Sequence, residues 1–347
     1  MKVFRNLSSE ADCIKGEALA RELDLPQHSP MVYRRCGLSG LHVSAIAMGL
    51  HCRDRDTDAA GMQQALIQEA LDLGVNHFDL SATCVRNIRT SGRPMDELLG
   101  PLREHRHDII LAAHIGFGSR RTGAVAFGSR KDVISSLDSV LKGLSLDYVD
   151  ILYSDRHDPN TPLEETMEAL AASVRQGKAL YVGLSGYAPA MARKAIATLR
   201  RLGTPPVVCQ ASFSVLNPWA EDALLDILRA YGVSFVADNP LASGALRAEA
   251  LQGGRSGDRG SFANNGSVTL PAMLSKIAAD RDQSISQLAL SWVLQNHHVS
   301  AVVIDPEASG DLLDLCSAVT HTSFSAAELE TISALAQADP YGQLGLM

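Results

Sequence analysis

Eight short runs of aliphatic and β-branched residues recur along this chain, with amphipathic stretches of helical period between them. The runs are Ala45–Leu50, Val75–Leu80, Ile109–Ala113, Tyr148–Tyr153, Leu180–Leu184, Val207–Gln210, Ser234–Ala237 and Ala301–Ile304. Short apolar runs alternating with helices read as buried parallel strands joined by crossovers. Eight such units in succession indicate a closed (β/α)8 TIM barrel better than an open doubly wound sheet. No GxGxxG follows the first run, so a dinucleotide-binding open sheet lacks its phosphate fingerprint.

One unit displays the local grammar. Thr161 reads as an N-cap, Pro162 as the first helical residue and Glu164 as a capping partner. Leu163, Met167, Leu170 and Val174 then line one face, and Gly177 ends the helix before the strand LYVGL. Ahead of the barrel, two alternating runs around Gly37–Gly40 predict a hairpin. Residues 1–30 read as an appended arm and residues 31–347 as a single barrel domain. Gly253–Ser267 is a Gly/Ser/Asn-rich loop after the seventh strand, and Phe324–Ala336 predicts an extra C-terminal helix.

Composition narrows the partners. The 347 residues carry a formal charge of −8 and no Lys/Arg cluster, which argues against nucleic acid and an anionic membrane surface. The N-terminus has no apolar signal core, and no stretch approaches the ~18 apolar residues of a membrane span. The six cysteines (13, 36, 52, 84, 209 and 316) form no CxxC pair and suit a reducing compartment. A cytoplasmic protein acting on a small molecule is expected.

Several phrases together resemble the aldo-keto reductase family, in particular the branch containing glyceraldehyde-3-phosphate reductases and potassium-channel β-subunits. They are YRRCGLSGLHVSAIAMG, NHFDLSA, GSRKDVISSLDSVLKGLSLDYVDILYS, QGKALYVGLSGY, CQASFSVLN and QLALSWVLQ. The resemblance implies a barrel of that family's type, and a tetrad in which a tyrosine donates a proton, lysine and aspartate tune it, and histidine orients the substrate. The aspartate falls on Asp79. The tyrosine position is Cys84, the lysine position His114 and the histidine position Asp155. A thiol holds its proton too weakly to replace a phenol as the acid for an alkoxide.

The cofactor loops depart as well. The resemblance implies PLxxGLLTGKY after the seventh strand, where this chain reads PLASGALRAEA with Glu249 at the lysine. It implies GASRxxQxxEN after the eighth, where Asp305, Glu307 and Asp311 put three carboxylates in a place built for phosphate and Leu315 replaces the final asparagine. Ser185, Gln210 and Phe213 remain as the residual nicotinamide end, or as rim packing. No cofactor is therefore expected, with NADPH as the alternative.

Barrel sites lie at the C-terminal ends of the strands, where Asp79, Cys84, His114 and Asp155 are expected as catalytic residues and His51 and His157 as pocket residues. Three arrangements fit these residue types. Cys84 can be a nucleophile activated by His114. Asp79 and His114 can form a general acid–base pair. His51, Cys84 and His114 with a carboxylate match zinc's preferences, a weaker alternative to a metal-free site. The leading expectation is non-redox acid–base or thiol chemistry on a small polar carbonyl or sugar-like substrate. A catalytically silent regulatory barrel and an NADPH-dependent reductase with an altered tetrad are the alternatives.

Overall fold

The structure, a computed structural model, describes residues 13–14, 31–50, 57–91, 99–116, 127–248, 270–306 and 308–338. Eight parallel strands close the barrel: β4 (Ile46–Leu50), β5 (His77–Leu80), β6 (Ile110–Ile115), β7 (Val149–Asp155), β8 (Ala179–Ser185), β9 (Val208–Ser212), β10 (Ser234–Asp238) and β11 (Val299–Ile304), with β11 pairing back onto β4. All eight sequence runs fall on these strands, displaced by at most a few residues at their ends. The extra C-terminal helix forms over Ala326–Ala338. Gly253–Ser267 lies outside the described residues.

The alternation of a strand explains the two cores. One set of side chains faces inward, including Ala47, Ala112, Ile151, Tyr153, Val236 and Ala301, and fills the barrel. The larger set packs outward under the helices, with Met48, Phe78, Leu111, Leu152 and Phe235 meeting residues such as Leu137, Met167 and Trp292. Each inward position has a successor two residues further on, at the C-terminal mouth. That parity carries the functional site.

The hairpin, β2 (Tyr33–Arg35) and β3 (His42–Ser44), closes the opposite end, and β1 (Cys13–Ile14), from within the expected arm, pairs antiparallel with β2. Arg34 donates to the carbonyls of Leu294 and Val299 at 2.8 and 2.7 Å, and the Leu38 amide donates to Gly232. Cys36 and Val43, buried with the inward side chains of the barrel, complete the floor.

One detail of the expected grammar is corrected. The helix begins at Leu163 with Pro162 in the cap position and no side-chain cap bond. Thr161 instead donates its hydroxyl to Asp158 Oδ2 at 2.7 Å. Asp158 also accepts from the amides of Gly128 and Asn160, so a buried carboxylate draws Thr161 away from the helix and orders the loop after β7. Among the described residues, no helix is long and apolar enough to cross a membrane.

Candidate active site

Two inward residues of neighbouring strands meet at the mouth. Asp79 on β5 pairs in register with Ala112 of β6, and His114 stands two residues further along β6 on the same face. His114 Nε2 lies 3.0 Å from Asp79 Oδ1 and 3.3 Å from Oδ2, with hydrogen-bond alignment only toward Oδ2. Both side chains are buried, at 5% and 2% exposure. Burial alone would lower the His114 pKa, but the Asp79 carboxylate, helped by Asp155 and Asp238, outweighs it and raises it to about 9. Burial likewise opposes ionisation of Asp79, yet His114, His77 and Gln210 hold its pKa below the ordinary value. Near neutral pH the pair is imidazolium and carboxylate.

The pair rests on an aromatic floor. Tyr153 stacks on His114 with centroids 4.5 Å apart and planes 15° from parallel. Its ring crosses β8 over its register partner Gly183, where any Cβ would overlap it. Gly183→Ala is therefore expected to displace the ring and destabilise the fold by ~1–3 kcal/mol, measured by urea unfolding. Because the ring supports the imidazole, the His114 NMR resonances should move too; unchanged resonances would mean that Tyr153 does not position His114. Beneath Asp79, fully buried His77 is held neutral, its pKa pushed down to about 4 by burial against the opposing pull of Asp79.

The same parity brings four more residues to the mouth. Asp155 and Ser185 pair in register, and Ser185 Oγ donates to Asp155 Oδ1 at 3.0 Å. Arg156 Nε lies 3.9 Å from the other Asp155 oxygen. Asp238 follows Val236 on β10, and Asp305 follows Val303 just beyond β11. The Asp305 carboxylate occupies the space that a side chain at Gly49 would fill. Enclosure by the mouth, then Asp79 and Asp305, raise the Asp238 pKa to about 6 against the pull of His114. Asp238 is exposed as a residue, and solvent screening moderates that repulsion. His77, Tyr153 and Asp238 were not singled out from sequence, although the inward period of two points to each.

Several expected site residues are placed elsewhere. Cys84 lies in the helix Ala82–Ser91, not in a loop, with its amide bonded to Ser81 Oγ. Its side chain is fully buried in the core between helices and barrel, and it is disulfide-bonded. It has no thiol to serve as a nucleophile or metal ligand while so bonded. Phe213 is 1% exposed and packs against Phe235 and Trp292, so it belongs to the outer core and offers no face to a nicotinamide. Gln210 faces inward against Asp79. His157 is half-buried, edge-on to Tyr187 at 6.3 Å. His51, Glu249 and Glu307 lie outside the described residues. No group of three His, Cys, Asp or Glu residues suited to a metal occurs among the described ones.

At the expected cofactor rim, Arg247 donates to the Asp305 carbonyl at 2.6 Å and lies 3.7 Å from Asp311 Oδ2. Leu315, at the family's asparagine position, is buried.

The closed barrel with its floor hairpin and the aspartate near the end of its second strand is the frame on which the family comparison falls. The chain belongs to the aldo/keto reductase family, whose model matches residues 49–337. It is 36% identical over 324 residues to "L-glyceraldehyde 3-phosphate reductase" of Escherichia coli (strain K12), covering 88% of this chain and 92% of that one. It is 28% identical over 324 residues to "Probable voltage-gated potassium channel subunit beta" of Oryza sativa subsp. japonica, covering 89% and 98%.

Proposed function

We propose that this chain is an aldo/keto-reductase-family barrel that catalyses non-redox proton transfer on a small polar carbonyl or sugar-like substrate. His114 serves as the acid and Asp79 sets its proton affinity. The observation that carries this reading is the buried ion pair, with Nε2 of His114 3.0 Å from Asp79 Oδ1, at the mouth of the barrel. A buried imidazolium can protonate a carbonyl oxygen while the Asp79 carboxylate beside it, whose Oδ1 accepts no hydrogen bond, takes the proton of the neighbouring carbon, so that an enediol forms, and the reverse transfers return both protons. Asp79 and the Tyr153 face hold the ring in one orientation, which supplies the positioning such a transfer needs.

An NADP cofactor fits these residues poorly. Phe213 is turned into the core, Asp238 and Asp305 project carboxylates into the mouth, and Arg247 is engaged by Asp305 and Asp311. No step is therefore routed through a nicotinamide. The 36% identity to a reductase favours the second reading, an NADPH-dependent reductase in which His114 replaces the family's acid.

Two measurements separate these readings. The first follows hydrogen–deuterium exchange at the carbons beside the carbonyl of hydroxyacetone and dihydroxyacetone, by proton NMR in D2O. Exchange by the wild type and its loss in His114→Gln is expected; equal exchange in both would remove His114 from the mechanism. The second titrates the protein with NADPH and follows nicotinamide fluorescence. No saturation is expected, and saturation at low micromolar concentration would overturn the non-redox reading.

A further inference from the structure

We propose that His77 is a positioning residue of the acid–base pair, a neutral imidazole behind Asp79 that donates to its carboxylate when ionised and accepts from it when protonated. This deepens the acid–base reading above and rests on it for the roles of Asp79 and His114.

Strand register carries the argument. His77 lies two residues before Asp79 on β5 and so faces the same way, while His114 lies two residues beyond Ala112, the register partner of Asp79 on β6. Asp79 therefore has one imidazole on its floor side and another on its mouth side. The mouth-side ring is committed to the ion pair and to the face of Tyr153. The floor-side ring is uncommitted: His77 is 0% exposed, and neither Nδ1 nor Nε2 has a hydrogen-bond partner among the described residues. The charged groups that act on it are Asp79 on its own strand and His114 on β6. The inward residues of the strands around it, Ala47, Ile110, Ile151, Val208 and Ala301, are all aliphatic.

Packing gives no reason for a histidine here. Two ring nitrogens removed from water without a partner destabilise a fold, and among aliphatic neighbours a leucine would carry no such penalty. A buried polar group held at that cost calls for a role outside packing. The proposed proton transfer supplies one, because Asp79 must alternate between carboxylate and carboxylic acid while 2% exposed. A neutral imidazole carries one N–H and one lone pair, so it can offer a donor to the first form and an acceptor to the second. An aliphatic side chain can offer neither.

The test compares the full chain with His77→Leu and His77→Gln. His77→Leu should unfold at a higher urea concentration than the wild type, since two unmet polar atoms leave the core, whereas a histidine kept for structure predicts the opposite sign. The His114 ring, titrated by NMR through its alkaline midpoint, should move upward by roughly half a pH unit in His77→Leu, because Asp79 without the donor behind it holds the imidazolium more tightly. His77→Gln keeps a donor and an acceptor and should return the midpoint most of the way, which separates support of Asp79 from a change in packing. Deuterium exchange by His77→Leu should lose about tenfold in kcat with KM little changed, since a sealed residue does not touch substrate. A less stable His77→Leu, an unchanged kcat, or a His114 midpoint that stays in place or that His77→Gln fails to restore would overturn the proposal. Stability and titration need no turnover, so the two readings fail separately. A shifted midpoint without exchange in the wild type leaves His77 in its place behind the pair and removes the chemistry, and exchange with an unshifted midpoint does the reverse.

Discussion

Replacing His114 by leucine is expected to lower the unfolding free energy by ~3–5 kcal/mol, because it strands the Asp79 carboxylate in a site with 2% exposure. The gain made by an ion pair in such a place barely offsets the cost of removing two charges from water, so the pair is not a source of net stability. Losing one partner is another matter, since the desolvation cost of the other remains. The double variant Asp79→Leu/His114→Leu should therefore recover much of what the single variant loses. Urea denaturation of the wild type, both single variants and the double variant completes a thermodynamic cycle. A double variant no more stable than His114→Leu would mean that the two residues are not coupled as their 3.0 Å contact requires.

The second large effect is on pH dependence. The folded-state pKa of His114 is raised from the ordinary 6.5 to about 9, so between those values the native state binds a proton that the unfolded chain releases. The stabilisation from that proton is fully present below pH 6.5 and is lost as pH rises through about 9. For a single proton the slope cannot exceed about 1.4 kcal/mol per pH unit. Asp79 contributes in the opposite direction: its pKa is lowered, so its share is present above the ordinary value of 3.8 and is lost as pH falls through the folded value. Unfolding free energies measured across the alkaline window should decline in the wild type and lose this decline in His114→Leu. A wild-type profile that stays flat from neutral pH to beyond pH 9 would show that the imidazole is neutral in the folded protein. Activity dependent on the imidazolium as an acid should fall across the same alkaline limb.

Burial and contact bear on the three arrangements proposed for the site. The thiol arrangement required Cys84 at the mouth beside His114. The residue's spacing from Asp79 was readable, but the start of a helix at Ala82 turns its side chain into the outer core, where it is disulfide-bonded. The zinc arrangement needed the same thiol together with His51, which lies outside the described residues. The acid–base pair has both members in contact, because two neighbouring parallel strands in this register bring residues 79 and 114 to one level.

Phe213 illustrates the limit of a motif. The family resemblance offered it as part of a nicotinamide end, with rim packing as the alternative, and the ring packs against Phe235 and Trp292. Asp238 shows the converse. Its strand was recognised in sequence, and continuing the inward alternation from Val236 by two residues reaches it. What the strand pattern does not contain is the company Asp238 keeps, since Asp79 and Asp305 arrive from strands far away in the chain.

Periodicity by itself determined the barrel, the floor hairpin and the extra helix, because apolar runs and amphipathicity are local properties that neighbouring residues impose on one another. The family resemblance placed Asp79 and His114 at the ends of the second and third barrel strands. Only the tertiary structure decided that these two make a buried ion pair resting on Tyr153, that Cys84 and Phe213 belong to the core, and that Asp155, Asp238 and Asp305 share the mouth. Contacts between separate strands depend on barrel closure and register, and the pKa of each group depends on the charges and burial which that closure imposes.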